Sequence, residues 1–432
     1  MSGRYRIVIV LMLFSVGMIN YMDRAAIGIL APLMKADLHF TDSQLGIVFS
    51  AFFAGYAVFS FLGGYLSDRV GPKKTFLIAA CAWSVFCAAT GMVGSIAALI
   101  GVRVLFGASE GPMNSTTNRM ITNWFPRRET ARALGFALSG QNFGSALAAP
   151  LSVLIASLLG WRLSFVVLGF LGLIWSAVWA FGVQDTPAES RFVSEGEKKH
   201  IASDRKPVTA MLSEQVGPLR QYLLAPTTLA MAAGLFAHLY ILYIFISWLP
   251  SYLVSVLHVS TKGLAGAAMV PWIGGFIGYA GGGFVSDFVF KKSTNRLAAR
   301  KLTTIVPLLS AVGALIAVLF VTNLTISVLI LGFALMMLSA GMQSLWAMIH
   351  ELVPAARMGS VGGFIHLLAN LSGVISPALT GFAVQYTGGY TLAFTIASVT
   401  GVVGAVLMAT VIRSRAPQER PVNQSSAVPN GY

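Results

Sequence analysis

Long apolar segments recur along the whole chain, and they constrain its fold more than any other feature. Hydrophobic residues make up 56% of its 432 positions and charged residues only 10%, whereas a soluble domain carries about 25% charged residues. A helix of about 20 residues crosses about 30 Å of hydrocarbon. The sequence therefore predicts an all-α membrane protein with twelve transmembrane helices, at 7–33, 44–66, 75–93, 97–117, 133–156, 163–183, 226–254, 263–286, 302–322, 325–350, 360–384 and 391–412.

The basic residues are unevenly distributed about these spans. On one side lie 24 Lys and Arg residues and on the other 3, while Arg24 and Arg103 fall inside spans. The positive-inside rule assigns the basic side to the cytoplasm. We therefore expect both termini and the loop 184–225 to be cytoplasmic, in a multi-pass protein of the inner or plasma membrane. Because the charge follows topology, the net charge of +14 does not indicate a nucleic-acid partner.

The chain contains an internal repeat. The sequence GGYLSD at 63–68 is followed by a Lys-Lys pair, and GGFVSD at 282–287 is followed by another, 219 positions later. Two matching halves with a binding site between them are a recurrent plan for transporters. We expect a six-helix bundle at 1–183, a cytoplasmic central loop at 184–225, a second six-helix bundle at 226–412 and a disordered cytoplasmic tail at 413–432.

Several stretches resemble a known family. The sequence GGYLSDRVGPKK at 63–74 resembles the loop signature of the major facilitator superfamily. Four further stretches resemble the anion:cation symporter group of that superfamily: NYMDRA at 20–25, RVLFGASEGP at 103–112, NRM at 118–120 with WFP at 124–126, and SGQ at 139–141. The resemblance is strongest to proton-coupled carriers of sugar acids of the galactonate and glucarate type. It implies two pseudo-symmetric bundles and transport by alternating access.

The loop signature also has a physical interpretation. Glycines allow helices to approach closely at a sharp turn, and Asp68 can accept hydrogen bonds from a neighbouring helix N-terminus. The resemblance implies a gating role for Asp68 and Arg69, with Asp287 in the second copy. Phe288 occupies the position that corresponds to Arg69, so we expect a weaker latch there. A purely topogenic role for the loop lysines is the alternative.

Four ionisable residues interrupt otherwise apolar spans: Asp23, Arg24, Arg103 and Glu110. Each costs about 2.5–3.5 kcal/mol at the bilayer centre, so residues of this kind pair, face a wet cavity or serve transport. Arg103 and Glu110 share one face of a helix and lie about 10.5 Å apart along its axis. We expect Glu110 to approach Arg24 and Asp23 to approach Arg103. Two structural ion pairs that never change protonation are the alternative.

The chemistry of these residue types suggests their roles. An arginine stays charged and presents a planar fork to a carboxylate, so Arg24 is predicted to bind the anionic group of the substrate. Arg103 is predicted to bind anion or to tune Glu110. Burial can raise the pKa of a carboxyl group by several units, so Asp23 and Glu110 are the predicted proton carriers. Transport of one proton with a monoanion moves no net charge, whereas transport of two protons with it would make uptake sensitive to membrane potential.

Polar and aromatic residues supply the other substrate-binding candidates. Gln141 is the strongest of them, because a buried amide needs hydrogen-bond partners. His366 departs from the galactonate-type pattern, which has Asn at that position; it could bind a second carboxylate, relay protons or bond a neighbour. For the aromatic residues, packing or an interfacial position is the alternative. The full set is Tyr21, Tyr56, Gln141, Tyr243, Trp346, His366 and Asn370.

The predicted function is proton-coupled uptake of an organic anion, with an aldonate or aldarate as the expected substrate. Uptake of an aromatic or other small carboxylate, and exchange of organic anions, are the alternatives. An exporter of drugs or cations would not need Arg24. No cofactor loop, metal cluster or nucleophile with a base stands out, so neither an enzyme nor a bound cofactor or metal is expected, and Cys81 and Cys87 are expected to pack. The expected partners are the anion, protons and lipid, and we expect a functional monomer.

Overall fold

A computed structural model shows a chain that is helical over almost all of its described length. It describes residues 5–202, 218–354 and 357–413, without the side chains of a few of them, Asp68 included. Residues 203–217 of the predicted central loop and 414–432 of the predicted tail thus lie outside the described residues. The helices are α1 (Tyr5–Leu38), α2 (Asp42–Val70), α3 (Pro72–Thr90), α4 (Ile96–Glu110), α5 (Met113–Trp124), α6 (Arg127–Gly182), α7 (Glu195–Ala202), α8 (Leu219–Leu223), α9 (Pro226–Ser255), α10 (Thr261–Lys292), α11 (Arg296–Ala317), α12 (Leu324–Leu352), α13 (Met358–Thr387) and α14 (Thr391–Val411).

Helix α6 contains two predicted spans. Ten segments of the described chain are long and apolar enough to cross a membrane, and one of them, Arg132–Gly182, has 51 residues, more than twice the length of a single span. Gly160 within it has non-helical angles (φ 81°, ψ 164°), a conformation that only glycine adopts without strain. The chain therefore turns at Gly160, between the predicted spans 133–156 and 163–183. Together with α3, of 19 residues, the helices match the twelve predicted spans one for one.

The predicted fourth span, which ended at residue 117, is too short. The helical path is interrupted at Gly111-Pro112 and then continues as α5 to Trp124. Threonine and asparagine residues make α5 polar enough to look like the end of a span in the sequence. Some of its polar groups are satisfied locally, as where the Thr116 hydroxyl donates to the Pro112 carbonyl at 2.8 Å. The buried hydroxyl of Thr117 is an exception, because it has no hydrogen-bond partner among the described residues.

Glycines bring α2 against α4, and the second half repeats this arrangement. A methyl group added to Gly107 would overlap the carbonyl oxygen of Phe52, and one added to Gly55 would overlap that of Val104. Gly274, 219 positions after Gly55, has the same relation to Gly332, so α10 packs on α12 as α2 packs on α4. Small residues that permit close backbone contact are typical of helix interfaces in lipid. The sequence repeat is therefore also a repeat of packing.

The helices form two groups that meet along three pairs. In the first half α1 packs along α6, and α3 packs against α4 and α6; in the second half α9 packs against α13 and α14, and α11 against α12 and α14. The halves meet where α2 packs on α13, α6 on α10 and α1 on α9. A site between the halves would therefore be lined chiefly by these six helices.

The two halves are joined at the end where α2 begins and α13 ends, which we call the closed end. The backbone N–H of Ser43 donates to Gln385 Oε1 at 3.0 Å. The backbone N–H of Ala378 donates to Ser50 Oγ at 3.0 Å. Deeper in the molecule, the ring of Phe53 lies 4.1 Å from that of Tyr243, centroid to centroid.

Candidate functional site

Two helices of the first half bury the four ionisable side chains together. Asp23 and Arg24 lie in the middle of the 34-residue α1, while Arg103 and Glu110 lie on α4. None of the four residues is more than 3% exposed. We call these four residues the charged centre.

Arg24 and Glu110 form a buried ion pair, as their positions in the sequence suggested. Arg24 Nη2 donates to Glu110 Oε2 at 2.6 Å, and Arg24 Nε donates to the same oxygen at 3.1 Å. Because both bonds end on one oxygen, the fork of the guanidinium is not matched to both carboxylate oxygens at once. Another carboxylate that competes with Glu110 for Arg24 therefore does not have to replace an ideal bidentate pair.

Aromatic rings surround the Arg24 guanidinium. Its central carbon lies 4.6 Å from the ring centroid of Tyr21, 4.9 Å from that of Phe52 and 4.7 Å from that of Tyr56. Cation–π contacts of this kind are worth about 2 kcal/mol when they are desolvated. The rings therefore stabilise the cation in addition to its ion pair with Glu110.

The expected approach of Asp23 to Arg103 is wrong for this structure, since no ion pair joins them. Both oxygens of Asp23, and Nε and Nη1 of Arg103, are buried without a hydrogen-bond partner in the described part of the chain. The Arg103 guanidinium instead lies 4.7 Å from the ring of Phe52 and 5.0 Å from that of Phe106. Adjacent residues on a helix diverge by about 100°, so directing Arg24 towards Glu110 turns Asp23 away.

An amide that the sequence analysis did not select connects three helices beside this centre. Asn114 on α5 donates to Tyr56 Oη on α2 at 3.2 Å. Gln141 on α6 donates to Asn114 Oδ1 at 2.9 Å. The available signal was the presence of an amide inside the predicted span 97–117, because such a group needs partners. The chain of bonds places the candidates Tyr56 and Gln141 in one network.

The second half contributes an uncharged polar chain. Tyr243 Oη on α9 donates to Asn370 Oδ1 on α13 at 2.7 Å. The Asn370 amide nitrogen lies 2.9 Å from His366 Nδ1, and the ring of Trp346 lies 6.1 Å from that of His366. The structure therefore brings the four candidates of the second half together: Tyr243, Trp346, His366 and Asn370.

The residues predicted to gate lie far from the charged centre, at the end opposite the closed end. Arg69 packs its guanidinium 4.9 Å from the ring of Tyr65, and the Asp68 side chain lies outside the described residues. Asp287 pairs with Arg300 at 3.0 Å, and Arg300 also pairs with Glu351 at 2.9 Å. Arg300, which sequence reasoning missed, therefore joins α10, α11 and α12 within one half. The gating role of these residues stays a prediction.

The two cysteines are free thiols, and Cys87 is buried with its Sγ 3.6 Å from the carbonyl oxygen of Phe165. In the ranges that the structure describes, no three His, Cys, Asp or Glu side chains are grouped as metal ligands would be.

The comparisons with known proteins agree on one family for this chain. The family model described as Major Facilitator Superfamily matches residues 13–298 and 278–431. A hexuronate transporter of Bacillus subtilis is 38% identical over 399 residues, covering 92% of each chain. A probable sulfoacetate transporter of Cupriavidus necator is 30% identical, covering 90% of this chain and 89% of its own. A D-galactonate transporter of Escherichia coli is 30% identical, covering 94% of this chain and 95% of its own.

The fold is also similar to solved structures. A bacterial homologue of the human lysosomal transporter Spinster, in an inward-facing and unoccupied conformation, aligns with a TM-score of 0.74 at 19% identity, covering 94% of this chain and 97% of its own. These findings confirm the expected all-α membrane fold and the family resemblance given by the sequence motifs. They also confirm the expectation of a transporter rather than an enzyme.

Proposed function

Since this chain belongs to the major facilitator superfamily, we propose that it carries a sugar-acid anion across the membrane together with protons. The observation that carries the proposal is the buried pair of Arg24 and Glu110, whose Nη2–Oε2 distance is 2.6 Å, beside the unpaired Asp23 and Arg103. A cation held by an exchangeable carboxylate is what an anion carrier needs at its binding site.

Charge balance explains why protons and anion move together. With both acids ionised, the charged centre contains two cations and two anions and is neutral. Adding a substrate carboxylate to this buried site leaves an excess negative charge, which is costly where water is excluded. Protonating one acid restores neutrality. The centre therefore favours either the empty deprotonated state or the state that holds both an anion and a proton.

We assign the roles as follows. Arg24 binds the substrate carboxylate, which displaces Glu110, and Glu110 then takes up a proton. Asp23 is the second proton carrier, because it is fully buried without a hydrogen-bond partner among the described residues, and protonation removes the charge whose burial is costly. Arg103 contributes positive charge beside Glu110.

The proposed substrate class follows from the relatives and from the site. Two of the three relatives described above are named for sugar acids, a hexuronate and a galactonate, and amide and phenol groups near the charged centre can hydrogen-bond to hydroxyl groups. The sulfoacetate relative keeps another small carboxylate as the second candidate.

Alternating access explains the asymmetric contacts between the halves. If the basic side is cytoplasmic, both termini lie inside the cell and the closed end faces out. The conformation is then one in which the site is sealed from the outside. We propose that α2 and α13 separate at the closed end to admit substrate, in a monomer of the inner membrane.

Transport by the purified protein in liposomes tests the proposal. With an inward proton gradient, we expect accumulation of radiolabelled galacturonate, glucuronate or galactonate, and loss of accumulation when a protonophore collapses the gradient. Benzoate and sulfoacetate serve as comparison substrates. Accumulation without any gradient dependence, or of the comparison acids alone, would contradict a proton-coupled sugar-acid carrier. Imposing a membrane potential at constant pH separates the proton counts, since uptake with one proton is indifferent to it.

A further inference from the structure

The hydrogen bonds around Asn370 determine the orientation of its amide. Tyr243 Oη donates to Oδ1 at 2.7 Å. The amide nitrogen donates to the backbone carbonyl of His366 at 2.8 Å and lies 2.9 Å from His366 Nδ1. Because a carbonyl oxygen accepts only, the group facing it must be the NH₂. Both hydrogens of that NH₂ are then committed, one to the carbonyl oxygen and one to the ring nitrogen.

This arrangement selects one tautomer of His366. The Asn370 amide can donate to Nδ1 only if Nδ1 carries no hydrogen, so the single proton of a neutral imidazole lies on Nε2. His366 Nε2 is 3.4 Å from the same amide nitrogen, which has no hydrogen left to give. The His366 ring therefore keeps one donor, Nε2–H, that is not used by any other residue in the described part of the chain.

Packed side chains connect the residues around this donor to the charged centre. Tyr243 contacts Phe53 at 4.1 Å, Phe52 lies 5.1 Å from Phe53, and Phe52 also covers Arg24. Asn370 is 1% exposed and Tyr243 is 4% exposed, whereas His366 and Trp346 are partly exposed. The chain of contacts therefore runs from the charged centre through the second half to an accessible imidazole beside an indole.

The wall that carries this donor is electrically neutral. Helices α9 and α13 contain no Asp, Glu, Lys or Arg. Both arginines of the charged centre belong to the first half. A ligand that spans the site would therefore meet the two arginines of the first half at one end, and hydrogen-bonding groups without formal charge on α9 and α13 at the other.

We propose that His366 is a specificity-determining residue, which gives a hydrogen bond from Nε2–H to an oxygen at the uncharged end of a monocarboxylate sugar acid and so disfavours dicarboxylates. The inference rests on the proposed function, which it narrows from sugar acids to aldonates and hexuronates. A second carboxylate would be desolvated against a wall without a cation, which is costly. A hydroxyl or ring oxygen at the same place would gain a neutral hydrogen bond.

Galacturonate and galactarate are compared in the test, since they share one carbon configuration and differ in the oxidation state of one terminal carbon, which closes a ring in galacturonate and is a second carboxylate in galactarate. Galactonate, an open-chain monocarboxylate of the same configuration, controls for the effect of the ring. The readout is the ratio of their competition against labelled galacturonate in proteoliposomes. We expect the wild-type protein to prefer galacturonate by about tenfold or more, as expected for one hydrogen bond gained against one uncompensated charge.

Three variants separate the contributions. His366→Gln places an amide N–H near the position of Nε2 and should keep the preference, whereas His366→Asn places its amide near Nδ1 and should weaken galacturonate binding about tenfold. His366→Arg supplies a cation and should shift the ratio towards galactarate about tenfold or more. The control is His238→Gln, because His238 is a buried histidine of the same half whose Nδ1 bonds to Gly234 O at 2.9 Å.

The outcomes distinguish the two proposals. Uptake of galacturonate with an unchanged ratio in the Asn and Arg variants, or a wild type that takes galactarate equally well, would overturn the role of His366 and leave the proposed function standing. A wild type that transports no sugar acid would overturn both. A variant that merely folds less well lowers both acids together and leaves the ratio constant, so constancy in every variant counts against the inference.

Discussion

At the scale of single residues, neighbouring side chains on α1 have different environments. Arg24 is bound to Glu110 and enclosed by three rings, while Asp23 has no hydrogen-bond partner among the described residues. The difference follows from the helix, which turns about 100° per residue. An anchored cation and an uncommitted acid thus arise from adjacent positions, and this division of roles suits co-transport.

Glu110→Gln tests the proton-carrying role at this scale. The amide cannot release a proton, so we expect accumulation driven by a pH gradient to be abolished. Exchange of labelled for unlabelled substrate at equal pH on both sides should be retained, because Arg24 still binds anion. The measurement is radiolabelled uptake under the two conditions in proteoliposomes.

Glu129→Gln is the matched control, since Glu129 is a partly exposed acid that pairs with Arg6 at 3.4 Å and His200 at 2.9 Å, away from the charged centre. It should leave both activities near the wild-type level. Equal loss of accumulation and exchange in Glu110→Gln would show that Glu110 holds the structure or the substrate and does not carry protons.

At the scale of helices, glycines set the position of the charged centre. Arg103 and Glu110 flank Gly107, whose Cα faces the Phe52 carbonyl so closely that a methyl group would overlap it. The contact brings Glu110 within reach of Arg24 and places Phe52 between the two arginines. The contact at Gly274, where α10 packs on α12, has no ionisable residue beside it. Close packing of two helices at glycine therefore occurs both in the half with the charged centre and in the half without one.

Gly107→Ala should displace α4 and lower stability by about 1–3 kcal/mol, the usual cost of overpacking. We expect a lower melting temperature in detergent, together with weaker substrate binding, because the Arg24–Glu110 distance changes. Gly101→Ala is the control on the same helix, because no atom lies within 4 Å of a methyl group added there. A melting temperature as high in Gly107→Ala as in Gly101→Ala would mean that the contact does not position α4.

At the scale of the whole molecule, the halves are joined at the closed end by α2 and α13. The bonds there are few and neutral, such as Ser43 N–H to Gln385 Oε1 and Ala378 N–H to Ser50 Oγ, both at 3.0 Å. A net hydrogen bond contributes only about 0.5–1.5 kcal/mol. Contacts of this strength can be broken and remade in a transport cycle, which a large network of buried ion pairs would oppose.

A covalent cross-link across this end tests whether it must open. Ser43→Cys and Gln385→Cys, introduced together after replacing Cys81 and Cys87 by alanine, should be joined by a short bifunctional methanethiosulfonate reagent, and uptake should then stop. Reduction should restore it. Each single cysteine variant, treated in the same way, is the control. Full uptake with the cross-link quantitatively formed, as measured by thiol labelling, would mean that substrate does not pass through the closed end.

The sequence predicted the spans well because hydropathy is a local property that each segment carries by itself. It failed at residue 117, because α5 continues beyond it with polar residues such as Asn114, Thr116 and Asn118 that bond within the helix or to a neighbouring one. It identified Gln141 but not its partner Asn114, and Asp287 but not Arg300. In both cases the missing residue lies on a different helix, and the order of helices along the chain does not state which side chains meet.

From the order of residues alone it follows that the chain crosses a membrane, that it repeats after 219 positions, and that the Asp, Glu and Arg residues inside its predicted spans lie in the first half. These properties follow from composition and spacing along single helices. The packing of the helices in three dimensions was needed to show that Glu110 pairs with Arg24 while Asp23 does not pair with Arg103, and that Asn370 lies between Tyr243 and His366. Those outcomes depend on how helices rotate and approach one another, which is set by glycine contacts and ring packing between segments distant in the chain.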